Sequence, residues 1–189
     1  QGLLGAGMVL LSGWTVGSAA LHWLPAVWSS RFERFLFEML LGLGLFAYLL
    51  LGLAWAGRYT PPVVRWVTAF LAGAGVVLLL RQGVRWQRSR VARSGVPSPA
   101  QYLARAERPW LAVILAAGLV ALVGALAPEV EFDALWYHLW LPRLWLEQGR
   151  PLDLVSEYVS LYPLQWELLY GAALSWGGAV ASKLVNFAT

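Results

Sequence analysis

The sequence predicts an all-α fold, a polytopic bundle of about five transmembrane helices with amphipathic interfacial helices in an outer loop. Three observations lead to this class. The 189 residues are 59% hydrophobic and only 13% charged, with a mean hydropathy of +0.61, whereas soluble domains are roughly 25% charged. Apolar runs long enough to cross a bilayer, which takes about 20 residues, recur along the chain. The charged residues are concentrated between those runs.

Apolar runs with few charges mark the predicted spans. They lie, in chain order, at Gln1–Ser30, Met39–Gly57, Pro61–Leu80, Trp110–Ala127 and from Leu168 onward. Residues 1–80 therefore hold three transmembrane helices, residues 109–127 the fourth, and residues 168–189 the start of a fifth. Pro25 is expected to end the first helix, and Pro109 to start the fourth. Because both ends of the chain are apolar, we expect it to be part of a longer polytopic protein.

The charges between the spans predict the orientation. Residues 81–108 form a basic loop with one acid, Glu107, and seven arginines: Arg81, Arg85, Arg88, Arg90, Arg93, Arg105 and Arg108. Residues 128–167 form an acidic loop. Short Arg-rich loops stay in the cytoplasm, so residues 81–108 are expected there and residues 128–167 on the periplasmic or extracellular side. The net charge of +4 thus reflects membrane orientation, and no nucleic-acid partner is expected. A bacterial inner membrane is the expected location.

The acidic loop contains an amphipathic helix by its pattern. Asp133 stands where a helix N-cap would, and Gly149 is expected to end the helix as a C-cap. At about 100° per residue, Asp133 and Tyr137 share one face, His138 lies on the opposite side, and Pro142 is expected to kink or restart the helix. Such a helix is expected to lie on the membrane with its leucine side toward lipid.

The same segment resembles a known family. The words that carry the resemblance are Phe132-Asp133-Ala134-Leu135-Trp136-Tyr137-His138-Leu139, Trp145-Leu146-Glu147-Gln148-Gly149-Arg150, Tyr162-Pro163-Leu164-Gln165-Trp166-Glu167 and Ala181-Ser182-Lys183-Leu184-Val185-Asn186-Phe187. They are similar to the GT-C superfamily, polytopic glycosyltransferases that use polyprenyl-phosphate sugars, and most of all to its protein mannosyltransferase and aminoarabinose transferase branch. The resemblance covers about the last eighty residues.

The resemblance implies an acceptor or metal site at Asp133. Many relatives have Glu directly after that Asp, where this chain has Ala134. Glu131 is a possible substitute, because in an extended strand residues two apart point the same way. Two carboxylates there would suit a divalent cation.

The remaining candidate residues suit a lipid-phosphate sugar. Arg143 and Arg150 are candidates for pairing with the phosphate. Tyr137, with neighbouring tryptophans, is a candidate for stacking on the sugar or lining a lipid groove. The first functional hypothesis is therefore a fragment of a GT-C-like glycosyltransferase, with its acceptor site in the outer loop and without activity at this length. Its expected partners are the lipid bilayer and a polyprenyl-phosphate lipid.

A second hypothesis is non-catalytic. The chain would be a structural or accessory subunit that binds other membrane subunits in a respiratory or photosynthetic complex. His22 follows the small residue Ser18 by four positions in an apolar helix. That spacing resembles the pigment-binding histidine of light-harvesting polypeptides, so this hypothesis makes His22 a candidate ligand of bacteriochlorophyll.

Overall fold

A computed structural model describes residues 1–24, 28, 30–90, 108–152 and 165–189, and for residues 83–90 and 108 it describes the backbone only. Pro25, residues 91–107 of the predicted basic loop and residues 153–164 of the acidic loop lie outside the described residues. The described helices are α1 (Gly2–His22), α2 (Arg31–Trp55), α3 (Pro61–Arg90), α4 (Arg108–Leu126), a π-helical turn (Ala134–His138), α5 (Trp140–Gln148) and α6 (Gln165–Ala188). By total length and composition alone, five of them could cross a membrane: α1, α2, α3, α4 and α6. The predicted all-α bundle is confirmed.

Helices α1 and α2 pack against each other through glycines. A Cβ atom on Gly17 would overlap the carbonyl of Glu38, and one on Gly42 would overlap the carbonyl of Gly13. The two backbones therefore approach as closely as small residues allow. Trp14 lies at the same contact and donates its Nε1–H to Glu38 Oε2 at 2.7 Å. Because the carboxylate also accepts from Arg34 Nε at 2.8 Å, its burial is compensated.

Helix α2 begins eight residues before the predicted span. Ser30 and Glu33 form a capping box, in which the Ser30 hydroxyl accepts from the Glu33 N–H and the Glu33 carboxylate accepts from the Ser30 N–H. The charged residues before Met39 therefore belong to the helix. The lack of charged residues predicted the apolar centre of this helix but not the residue at which it begins.

Helices α3 and α4 present much of their surface to lipid. Helix α3 continues to Arg90, so the predicted basic loop begins as a helix. Helix α4 is exposed along most of its length, including the side chains of Trp110, Ile114 and Val120. An exposed apolar surface of this length suits a lipid bilayer.

Helix α6 does not run straight. Gly178 has φ 69° and ψ −165° inside it, a backbone region open essentially to glycine alone. The Ser182 hydroxyl donates to the Tyr170 carbonyl at 2.9 Å, and the Tyr170 hydroxyl donates to Asn186 Oδ1 at 2.8 Å. In a straight helix Tyr170 and Asn186 would be about 24 Å apart. The helix therefore folds back on itself, and neither half is long enough to cross a bilayer alone.

The fold-back is held by an arginine of α3. Arg65 Nε donates to the carbonyl of Ser175 at 2.5 Å. In a continuous helix that carbonyl would accept from the N–H of residue 179, beyond the break. Arg65 thus satisfies a backbone group near the turn, which makes the turn compatible with an apolar environment.

Tyr59 joins the α2–α3 turn to the outer loop and α6. Its N–H donates to the Gly149 carbonyl at 2.8 Å, and its buried hydroxyl donates to the Leu168 carbonyl at 2.6 Å. These contacts bring the α2–α3 turn, the end of α5 and the start of α6 to one end of the bundle, hereafter the outer end.

Candidate functional site

A cavity of about 710 Å³ opens at the outer end, where α4 stops. Its apolar lining residues come from the last turns of α4 and include Phe187. Its polar lining residues come from the segment that follows α4, from His138, and from the returning half of α6, which supplies Ser182, Lys183 and Asn186. The cavity thus combines apolar and charged groups in one lining.

Three carboxylates line this cavity on the segment after α4. Glu129 Oε1 accepts from the N–H groups of Val130 and Glu131, both at 2.9 Å. The hydrogen bond from the Glu131 N–H lowers the pKa of Glu129, and Lys183 lowers it further. Glu129 is therefore a structural carboxylate, engaged by its own loop.

Glu131 and Asp133 are the two carboxylates left for a ligand. Both are exposed and line the cavity, and within the described ranges neither carboxylate has a hydrogen-bond or ion-pair partner. Asp133 occupies the N-cap position of the π-helical turn but has helical φ and ψ angles, and its side chain makes no capping hydrogen bond. The structure thus brings these two predicted residues together, and the predicted capping role of Asp133 is wrong.

The extended geometry predicted for this pair is also wrong. Residues from Phe132 onward are helical, and the Leu135 N–H already donates to the Glu131 carbonyl. Glu131 and Asp133 therefore share the cavity through the bend of the chain rather than through strand alternation. Across the described ranges, no group of three or more His, Cys, Asp or Glu side chains is placed to hold a metal ion. Two carboxylates supply only part of the shell that a divalent cation takes.

Lys183 is the cation of the cavity. Its Nζ donates to the Ala127 carbonyl at 3.0 Å and lies 3.4 Å from Glu129 Oε2. Only 19% of its side chain is exposed. An ammonium has three N–H donors, and these two acceptors leave one for a ligand. The fold-back of α6 is what returns this residue to the end of α4.

His138 lies in the same cavity, opposite to the prediction. The helical turn at Ala134–His138 is π, with the Leu139 N–H donating to the Ala134 carbonyl five residues back. In a π-helical turn the rotation per residue about the helix axis is smaller than in an α-helix. His138 therefore lies nearer to the face of Asp133 than an α-helical wheel predicts. Its Nδ1 lies 2.6 Å from Oε1 of Glu167, a residue only 4% exposed. The α-helical wheel failed here because the backbone is not α-helical.

Helix α5 follows the π turn and packs on protein rather than on lipid. Leu141, Trp145 and Leu146 are buried. Of the predicted leucine side, Leu146 therefore packs on protein, whereas Leu135 in the π turn is exposed. A new helix, α5, begins at Trp140 with Pro142 in its first turn, where proline is tolerated. Of the two alternatives for Pro142, the structure therefore has the restart of the helix. Gly149 ends the helix with φ 74°, so the predicted C-cap is confirmed.

The other predicted residues lie outside the cavity lining. Tyr137 is half-buried and its ring centroid is 4.0 Å from that of His138, so it contacts the site through that ring. Arg143 and Arg150 are exposed. His22 is exposed at the end of α1 with its ring edge-on to Trp23, whereas Ser18 is buried, so the small residue opens no free surface beside His22.

Two residues of the cavity region escaped the sequence reasoning. Lys183 is the one lysine of the chain and lies in an apolar segment, which is by itself a signal of a functional group. Glu167 directly precedes another apolar run, and its burial depends on α6 packing over the π turn. Lys183 was therefore detectable from the sequence, whereas the burial of Glu167 was not.

Comparisons with known proteins found no match: no family model, no curated protein and no solved structure resembles this chain at a significant level.

Proposed function

We propose that this chain is part of a GT-C-like membrane glycosyltransferase, and that the cavity at the outer end receives the polar head of a polyprenyl-phosphate sugar. The observation that supports this most is the mixed lining of the cavity. The end of α4 contributes apolar residues, and charged side chains from the following segment and from Lys183 line the same cavity. A lipid whose head is anionic and hydroxylated needs both surfaces in one place.

Lys183 is the phosphate partner in this proposal. It is the cation that lines the cavity, whereas Arg143 and Arg150, the partners proposed from sequence, stand outside that lining. Lys183 lies against the Ala127 carbonyl, just past the end of α4. A membrane crossed by α4 would have its lipid phosphates near that end. The remaining N–H of Lys183 can therefore donate to a phosphate oxygen while the other two hold the loop.

Asp133 is the acceptor-binding group in this proposal. Its carboxylate is free of hydrogen bonds to the described residues and lines the cavity beside Glu131. A free carboxylate accepts a hydrogen bond from a sugar or alcohol hydroxyl and so orients it for attack. Tyr137 supports the ring of His138 rather than stacking on the sugar.

The outer end faces the periplasm or cell exterior in this proposal, across a bacterial inner membrane. The arginine-rich ends of α3 and α4 lie one helix length away from the acidic segment, which agrees with retention of basic segments in the cytoplasm. The accessory-subunit hypothesis has less support, because His22 is exposed at the end of α1 and the small residue Ser18, four positions before it, is buried.

The proposal is tested by lipid binding, which does not require turnover. The chain is placed in nanodiscs, and the Kd for undecaprenyl phosphate is measured for the parent, Lys183→Gln and Arg150→Gln. Loss of Lys183 removes a charged hydrogen bond and is expected to weaken binding by about tenfold. Arg150 is an exposed cation at the same end, and its loss is expected to change the Kd by less than about twofold.

Either of two results contradicts the proposal: no measurable affinity in the parent chain, or equal loss in both variants. The second result would mean that binding reflects general surface charge. Thermal unfolding of each variant establishes that its fold is intact.

A further inference from the structure

We propose that His138 is the proton acceptor of the cavity, positioned by Glu167. This inference rests on the proposed function, because the proton it takes is that of the acceptor hydroxyl. It begins with the ring of His138, which lines the cavity while its Nδ1 contacts Glu167 Oε1 at 2.6 Å. Because a carboxylate only accepts hydrogen bonds, Nδ1 is the donor. The lone pair of the neutral ring is therefore on Nε2, the nitrogen not engaged by Glu167.

The surroundings of the pair favour a fixed ring. The side chain of Glu167 is only 5% exposed, whereas that of His138 is 38% exposed. The ring also lies against Tyr137 and meets Tyr170 edge-on at 6.2 Å between centroids. A buried carboxylate behind a partly exposed imidazole, held by aromatic neighbours, sets the tautomer and orientation of the ring. Surface histidine–carboxylate contacts lack both features.

In the proposed reaction, His138 takes the proton of the acceptor hydroxyl. The acceptor hydroxyl oxygen forms a bond to the anomeric carbon of the lipid-linked sugar. The bond from that carbon to the phosphate oxygen breaks, and its electron pair leaves with the polyprenyl phosphate. The hydroxyl proton passes to Nε2 of His138, which becomes an imidazolium next to the carboxylate of Glu167. Asp133 orients the hydroxyl in this scheme, and Glu167 is a positioning residue.

Reaction with diethyl pyrocarbonate tests the free lone pair directly, since the reagent acylates an unprotonated imidazole nitrogen. The chain contains two histidines, so His22, exposed and without a carboxylate partner among the described residues, is an internal control. In the nanodisc-embedded chain at neutral pH, mass spectrometry is expected to find His138 acylated. Glu167→Gln is expected to slow that reaction by roughly tenfold, because the tautomer is no longer fixed, and to leave His22 unchanged.

The parent chain alone provides a second measurement, which does not depend on a variant folding. In ¹⁵N-histidine spectra, the neutral ring of His138 is expected to carry its proton on Nδ1, while His22 shows the mixture of a free imidazole. Protonation of His138 on Nε2, or resistance of His138 to acylation, would overturn the inference.

Failure of this inference is separable from failure of the proposed function. The Kd of the parent chain for undecaprenyl phosphate tests the proposed function, whereas the tautomer and the acylation of His138 are measured without lipid phosphate present. Absence of lipid binding in the parent would contradict the proposed function, and the tautomer and acylation results would still decide the role of the pair.

Discussion

Tyr59 joins three elements at the outer end. Its backbone binds the end of α5, and its hydroxyl binds the first turn of α6. Gly171 is a glycine for the same reason, since a Cβ there would overlap the Tyr59 hydroxyl. Nothing in the local sequence distinguishes Tyr59 from an interfacial tyrosine, so its role could not have been predicted. The partner of its hydroxyl is 109 residues away in the chain.

Removal of that hydroxyl is expected to destabilise the protein. Tyr59→Phe removes the buried hydrogen bond to the Leu168 carbonyl, at a cost of about 0.5–1.5 kcal/mol in the free energy of unfolding. Tyr48→Phe is the matched control, because Tyr48 is 58% exposed on α2. Denaturant unfolding in detergent measures both variants. Equal stabilities of the two variants would contradict the assigned role of Tyr59.

The same residue predicts an alkaline limit of stability. Burial raises the pKa of Tyr59 well above its ordinary value of about 10. The unfolded chain therefore loses this proton from about pH 10 upward while the folded chain keeps it, so stability is complete below pH 10 and falls as the pH rises further. Tyr59→Phe is expected to show a weaker fall over the same pH range. Parallel pH profiles would contradict this assignment.

At the scale of elements, apolar runs predicted the positions of four helices because bilayer thickness sets their length. The observed helix ends differ from the predicted ones where charged residues are paired, as Glu38 is with Arg34 and Trp14. The shape of α6 could not be predicted from its apolar run. Length and hydropathy treat a straight span and a folded-back pair of half-helices alike, and only the conformation of Gly178 separates them.

The fold-back of α6 is expected to depend on Gly178. Gly178→Ala forces a side chain into a glycine-only region and is expected to cost about 1–3 kcal/mol. Gly118→Ala on α4 is the control, because a Cβ there meets nothing within 4 Å, and it is expected to be neutral or slightly stabilising. Thermal unfolding compares the two.

Spin labels measure the fold-back itself. The chain has no cysteine, so labels at Trp166→Cys and Phe187→Cys are the only ones present. A straight helix separates these positions by about 31 Å, and the fold-back predicts a distance well below that. A distance near the straight-helix value would contradict the architecture of α6.

At the scale of the whole molecule, the bundle has two chemically different ends. The α2–α3 turn, α5 and the cavity are at the outer end, and the basic ends of α3 and α4 are at the other. The opposite charges of residues 81–108 and 128–167 predicted this separation of the two ends. The cavity could not be predicted from charge, because Glu131, His138 and Lys183 come together only through the π turn and the fold-back.

The orientation predicts which single cysteines a membrane-impermeant thiol reagent labels in intact cells. Arg58→Cys in the α2–α3 turn and Glu147→Cys on α5 are expected to react from outside, since both residues are exposed at the outer end. Arg31→Cys at the start of α2 is expected to react only after the cells are opened. The reverse pattern would invert the proposed orientation.

The central claim is that the cavity between α4 and the returning half of α6 holds a lipid phosphate. Photo-crosslinking with an undecaprenyl phosphate that carries a photoreactive group near its phosphate tests it most directly, with the crosslinked peptides of the nanodisc-embedded chain mapped by mass spectrometry. Crosslinks are expected in residues 124–139 and 179–188, and Lys183→Gln is expected to reduce them. Crosslinks spread along the lipid-facing surface of α4, or unchanged in Lys183→Gln, would contradict the claim.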